Sequence, residues 1–159
     1  MAGYDDPRAH ALRDEYHAVF GGDELPVPVE SIAEDLLALA VVVRDDLRVS
    51  GMLLPSERRI YVRADEPEPR RRFTIAHELG HWICQCLEGT QQPVYCRAEE
   101  IGVDPEAKAL EREANIFAAN LLMPEPAVRA GAGENRFGVS DEALAWRLYN
   151  LGLRETPPA

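Results

Sequence analysis

Apolar residues recur at helical spacing in five stretches of the chain, and three short β-branched or alternating runs lie between the second and the third. Residues 5–20, DDPRAHALRDEYHAVF, predict a helix that stops at Gly21 and Gly22. Pro26 and Pro28 disfavour helix just before them and predict an extended link. SIAEDLLALA, 31–40, predicts a second helix with Ser31 as its cap and Ile32, Leu36 and Leu39 on one stripe. VVVRD then reads as a strand, and SGMLL and RIYVR as two more, joined like a hairpin around PSER.

EPEPRRR interrupts the strands and leads into a helix over about residues 71–86, and the glycines and prolines of 87–105 predict a loop. EAKALEREANIFAANLLM, 106–123, is a strong helical pattern stopped at Pro124 and Pro126; RAGAGENRFG follows as a loop. SDEALAWRLYNLG closes the chain as a last helix, with Ser140 as cap, acids in the first turn and Gly152 as the stop. This order predicts an α+β fold, a small antiparallel or mixed sheet packed on helices. The segments expected are an N-terminal helix in 1–24, a core in 25–126, and a loop plus helix in 127–159, together one compact domain.

The third helix carries the chemistry, in RRRFTIAHELGHWICQC. Residues four apart on a helix differ by about 40° and 6 Å, so His77 and His81 project from one face. Two imidazoles so placed fit two corners of a zinc tetrahedron, and Glu78, about 100° round from His77, is placed to act on a water as general base. The alternative is a pair of hydrogen-bonded helical histidines. Ile75, Ala76, Leu79, Trp82 and Ile83 already supply a core face without them, which weakens that reading. Gly80 inside the helix costs about 1 kcal/mol against alanine, so a close backbone approach is expected there.

A catalytic zinc takes three protein ligands and keeps one open position. In the 106–123 helix Glu111 and Glu113 point about 200° apart. Glu111 has Lys108 and Asn115 beside it on the helix, the surroundings of a solvated face, whereas Glu113 has Leu110, Ile116 and Phe117. A carboxylate among apolar neighbours is costly to bury unless paired or bound to metal, so Glu113 is the expected third ligand, with Glu106 and Glu111 as alternatives. Cys84, Cys86 and Cys96 offer no fourth ligand for a second zinc site and are expected to be free thiols. Tyr61, Tyr95 and Tyr149 are candidates for an oxyanion partner by residue type alone. One edge of the strand pair around 50–63 is a candidate template for an extended substrate.

With 159 residues, 46% hydrophobic and 28% charged, the chain has the make-up of a soluble globular domain. No apolar run approaches the roughly 18 residues of a membrane span, and the N-terminus is too polar for a signal peptide. With an odd count of three cysteines, a cytoplasmic location is expected. The net charge of −11 sets the chain against phosphate backbones, and RRR at 70–72 is read as solvated surface, so no direct nucleic-acid partner is expected.

RRRFTIAHELGHW, EREANIFAANLLMP and RFGVSDEALAWRLYNLGL, in that order, resemble the ImmA/IrrE family of zinc metallopeptidases, and the likeness runs over about residues 25–153. The resemblance implies a zincin-like fold with Zn2+ held by His77, His81 and the glutamate of EAN, Glu113, and with Glu78 catalytic. It also implies regulatory proteolysis of a helix-turn-helix repressor. A zinc-stabilised anti-repressor that binds its partner without cutting it is the alternative, since the same ligands serve both. Only EPAVRAGAGENR lies between LLMP and FGVS, where members of the family carry a fuller helical segment, so residues 127–159 read as a truncated helix-turn-helix-like segment.

Overall fold

A computed structural model describes residues 2–22, 25–86, 94–95, 105–131 and 133–159. A short 3-10 turn, Ala2–Tyr4, precedes helix α1, Pro7–Phe20. The Asp6 side chain caps α1 by accepting from the Arg8 amide, and Gly21, at φ 76°, ends it. Helix α2, Val29–Ser31, runs on into a π-helical turn, Ile32–Leu36. Ser31 therefore lies inside the helix rather than capping it: Pro28 supplies the start, and the Ile32 amide already bonds the Pro28 carbonyl.

Strands β1 (Ala40–Arg44), β2 (Gly51–Leu54) and β3 (Arg59–Arg63) follow. β2 and β3 form the expected antiparallel hairpin, turned by Pro55–Glu57 and by Arg58 in the left-handed region at φ 52°. The Arg58 guanidinium holds that turn by donating to the carbonyls of Leu37 and Ala38 and lying 5.0 Å over the Trp82 ring. β1 pairs in parallel with β3, and β4, Val94–Tyr95, adds to the far side of β2, giving the order β1-β3-β2-β4. The sheet is thus mixed. β2 is no free edge for a substrate along its whole length, because Met52 and Leu53 already face Tyr95 and Val94.

Helix α3, Glu68–Cys84, packs on β2 and β3 and on helix α4, Pro105–Leu122. Arg72 pins the start of α3 by donating to the carbonyls of Val27, Phe137 and Gly138, so this member of the basic run is a structural clamp rather than solvated surface. Pro124 does not simply end helical structure: it stands at the N-cap of a short helix α5, Glu125–Ala130, with Pro126 in its first turn. Helix α6, Asp141–Asn150, starts as expected at Ser140, whose hydroxyl accepts from the Ala143 amide at 3.1 Å. One apolar core joins Leu12 of α1, Ile32 of the π-helical turn, Leu53 and Ile60 of the sheet, Leu79 of α3, Phe117 and Leu121 of α4, and Leu144 of α6. Among the described residues no helix is long and apolar enough to cross a membrane.

Gly80 is where α3 and α4 touch backbone to backbone. A Cβ there would lie 3.0 Å from both Cα and the carbonyl oxygen of Ala114 and 3.2 Å from Cβ of Phe117. This is the approach that a glycine in mid-helix implied. Gly80→Ala is expected to lower stability by up to about 2 kcal/mol, an overpacking cost of about 1–3 kcal/mol less the gain of about 1 kcal/mol in helix propensity. Chemical denaturation checks the sign; a more stable variant would mean the two helices yield freely at this contact.

Candidate metal centre

The Gly80–Ala114 contact brings the polar face of α3 against one face of α4. His77 and His81 are buried, with their rings edge to face at 4.7 Å and their Nε2 atoms 3.1 Å apart. The carboxylate oxygen Oε2 of Glu111 meets both, at 2.5 Å from His77 Nε2 and 3.0 Å from His81 Nε2. The other ring nitrogens are fixed from behind: His77 Nδ1 lies 2.7 Å from Asn115 Oδ1, and His81 Nδ1 lies 2.7 Å from Gln85 Oε1. An amide oxygen only accepts, so each Nδ1 carries the proton and each Nε2 turns a lone pair toward Glu111.

Three acceptor atoms meeting at these distances require a positive charge between them, a shared proton or a metal ion. Zinc bonds of about 2.0–2.2 Å set tetrahedral ligand atoms about 3.3 Å apart; the two spacings at His81 Nε2, 3.0 and 3.1 Å, come near this, and the His77–Glu111 spacing of 2.5 Å is shorter. Burial alone would raise the Glu111 pKa; where a shared proton supplies the positive charge, the hydrogen bonds and charges of His77 and His81 outweigh burial and hold the group down at about 2.

Glu78 completes the group, since one ligand atom from each of His77, Glu78 and His81 lies within 4.8 Å of the others. It is 0% exposed, and neither carboxylate oxygen has a hydrogen-bond partner. Burial pushes its pKa up to about 7; His77 and His81 restrain that shift, and Glu111 adds to it. A buried carboxylate with no donor is costly, and a cation at the His77–His81–Glu111 centre supplies the missing compensation. The donor set and the orphaned carboxylate therefore fit a divalent metal held by two imidazoles and one carboxylate, with a second carboxylate beside it.

Glu113, expected as the third ligand, is corrected by this geometry. Its side chain is 40% exposed and its carboxylate pairs with Arg8 at 3.3 Å, so it ties α1 to α4. Glu111 takes the position facing the histidines, at 15% side-chain exposure. The apolar neighbours that favoured Glu113 misled because Leu110 is itself 41% exposed. The polar neighbour that counted against Glu111, Asn115, belongs to the site. Glu106, the other alternative, stands in the first turn of α4, and the carboxylate that meets both histidines is that of Glu111.

Cys84 and Cys86 are buried and form no disulfide among the described residues, and the Cys86 thiol is pushed up to about 11 by burial and then by the charge of Glu78. Such a thiol is a poor ligand or nucleophile. Cys96 and the expected loop at 87–93 and 96–104 lie outside the described residues.

The family model of the IrrE N-terminal-like domain matches residues 40–149. The chain belongs to the ImmA/IrrE metallopeptidase family. It is 30% identical over 95 residues to the radiation response metalloprotease IrrE of Deinococcus radiodurans, a match covering 60% of this chain and 27% of that protein. A solved Mycobacterium tuberculosis transcriptional regulator aligns with a TM-score of 0.64 at 21% identity, over 91% of this chain and 47% of that one, which shows a common fold. The chain thus corresponds to about a quarter of the curated relative and about half of the solved structure.

In this ImmA/IrrE-family chain a cleft of about 700 Å³ opens beside His77, lined also by Glu111, Asn115, Phe73, Ala143 and Trp146. Tyr61 and Tyr149 are not among its lining residues. Tyr61 is buried in the sheet with Arg59 at its hydroxyl, and Tyr149 packs against Trp146 at 6.0 Å between ring centroids. The side chain of Tyr95 lies outside the described residues.

Asn115 and Gln85 were missed in the sequence, although each sits four residues after a site residue on the same helical face, Glu111 and His81 respectively. Asn115→Ala removes the hydrogen bond that sets the His77 tautomer. It is expected to weaken metal binding by about 10–100-fold while the fold persists, since Asn115 is exposed. Competition with a chromophoric chelator measures this, and an unchanged affinity would show that His77 needs no such support.

Proposed function

We propose that this chain is a zinc-dependent peptidase that hydrolyses a peptide bond in a regulatory protein, a helix-turn-helix repressor. The observation that carries the chemistry is the convergence of His77 Nε2, His81 Nε2 and Glu111 Oε2 next to the buried, unpartnered carboxylate of Glu78. His77, His81 and Glu111 are the ligands in this reading, and Glu78 is the general base. A zinc ion at such a site supplies Lewis acidity, polarising the scissile carbonyl and easing removal of a proton from the attacking water.

The rest is the work of the chain's own groups. Glu78 takes the proton of the attacking water as its oxygen bonds to the carbonyl carbon. It then returns that proton to the amide nitrogen as the C–N bond breaks, leaving an acid and an amine. With no hydrogen bond of its own to give up, its carboxylate is free to accept that proton. Asn115 and Gln85 hold the imidazoles in the ligating tautomer through both steps. The repressor as substrate is supported by membership in the family and by the regulatory fold relative, and the net charge of −11 disfavours DNA itself.

The test is incubation of the zinc-loaded protein with the helix-turn-helix repressor encoded beside its gene, followed by mass spectrometry of the products. A single cut that chelator abolishes and added zinc restores is expected. An intact repressor under conditions where zinc is bound would remove the peptidase reading.

A further inference from the structure

A second pocket, of about 330 Å³, opens off the cleft and shares Phe73, Asn115, Ala143 and Trp146 with it. Asn115 is the residue that holds His77, so the pocket lies one side chain away from the metal centre. The walls differ in charge. The cleft is lined by Glu111 and Glu142 together with Arg70, whereas among the described residues no acidic side chain lines the pocket, which carries Arg147 and Arg112.

Arg147 is the unusual member. It is 3% exposed in a chain of net charge −11, yet among the described residues its guanidinium contacts no carboxylate. It donates through Nε to the Met123 carbonyl at 3.0 Å and through one terminal nitrogen to Asn120 Oδ1 at 3.3 Å, both neutral acceptors. A guanidinium has five N–H donors, so these bonds leave capacity on a side chain that lines an open pocket. Burial lowers its pKa to about 10, partly offset by Glu125 and Asp5, neither of which it hydrogen-bonds. Arg112 is exposed at the pocket, 5.5 Å over the Tyr4 ring. Phe73, Ile116, Met123 and Trp146 make the approach apolar.

We infer that this pocket is a specificity subsite for a carboxylate on an apolar stem, seated against Arg147, when a peptide lies in the cleft beside His77. The inference rests on the peptidase reading for what occupies the cleft. The same chemistry is offered by a glutamate side chain and by a chain-terminal carboxylate. Arg147 then acts on substrate choice, and the buried cation gains the anionic partner it lacks in the free protein.

The test uses the zinc-loaded chain and three blocked tetrapeptides that are identical except at the last residue: glutamate amide, glutamine acid and glutamine amide. Binding is followed by the fluorescence of Trp146, 42% exposed and lining both spaces, so the readout needs no hydrolysis. At least one of the carboxylate peptides is expected to bind about tenfold more tightly than the neutral one, and which of the two does so assigns the source. Arg147→Met should bring that ratio within about twofold without changing zinc content. Because Arg147 also braces α4, Arg112→Met, at an exposed position, serves as a second variant and should lower the ratio in part.

Equal binding of all three peptides to the parent overturns the inference whether or not any variant folds, as does a preference that survives both substitutions. Carboxylate-selective binding with no peptide or repressor ever cut would support the subsite and remove the peptidase reading. Cutting without selectivity would do the reverse.

Discussion

Glu78→Gln is expected to lose peptide-bond cleavage by at least about 10²–10⁴-fold while keeping its zinc and its fold. Glutamine has the size of glutamate and carries no charge, and Glu78 is fully buried with no hydrogen bond to break, so the substitution leaves the packing alone. It also leaves His77, His81 and Glu111 in place. What it removes is a buried carboxylate beside the ligands that has no hydrogen-bond partner among the described residues, and with it the acceptor for the water proton. Parallel measurement of cleavage and zinc content separates this from metal loss. A variant that cuts as fast as the parent would show that Glu78 is not the base. If the variant relieves repression as well as the parent does, the chain acts by binding its partner rather than by cutting it.

The second large effect separates two glutamates two residues apart. Glu111→Ala is expected to weaken zinc binding by more than about a hundredfold, since it removes a direct ligand where a supporting residue alone is worth about 10–100-fold. Glu113→Ala should leave zinc affinity unchanged and cost at most about 1 kcal/mol of stability through its half-exposed pair with Arg8. Chelator competition and thermal unfolding with and without zinc read both quantities. Loss of zinc from the Glu113 variant, with the Glu111 variant intact, would reverse the assignment drawn from the coordinates.

Much of the fold was legible because its signals are local. The α1 stop at Gly21, the β2–β3 hairpin and the Ser140 cap follow from conformational preferences within a few residues. Readings failed where a second local signal competed with the first or where a distant contact decided. Ser31 is a good cap by residue type, but Pro28 had already started the helix. Pro124 is a stop for α4 and at the same time a start for α5. β1 lies parallel to β3, a pairing no local pattern announces, since it depends on the chain crossing over after β1.

At the site the same division holds. The sequence determined that His77 and His81 share a face, because 3.6 residues per turn leaves no other outcome for that spacing on a helix. It also indicated that something must approach the helix closely at Gly80, because a glycine costs stability in mid-helix unless the missing Cβ makes room. Only the tertiary structure decided which glutamate faces the histidines. That choice depends on the rotation of α4 about its own axis, where two residues amount to about 200°. The close contact of Gly80 with Ala114 fixes that rotation, and it joins residues far apart in sequence. Neighbours along one helix describe its faces but not what each face meets.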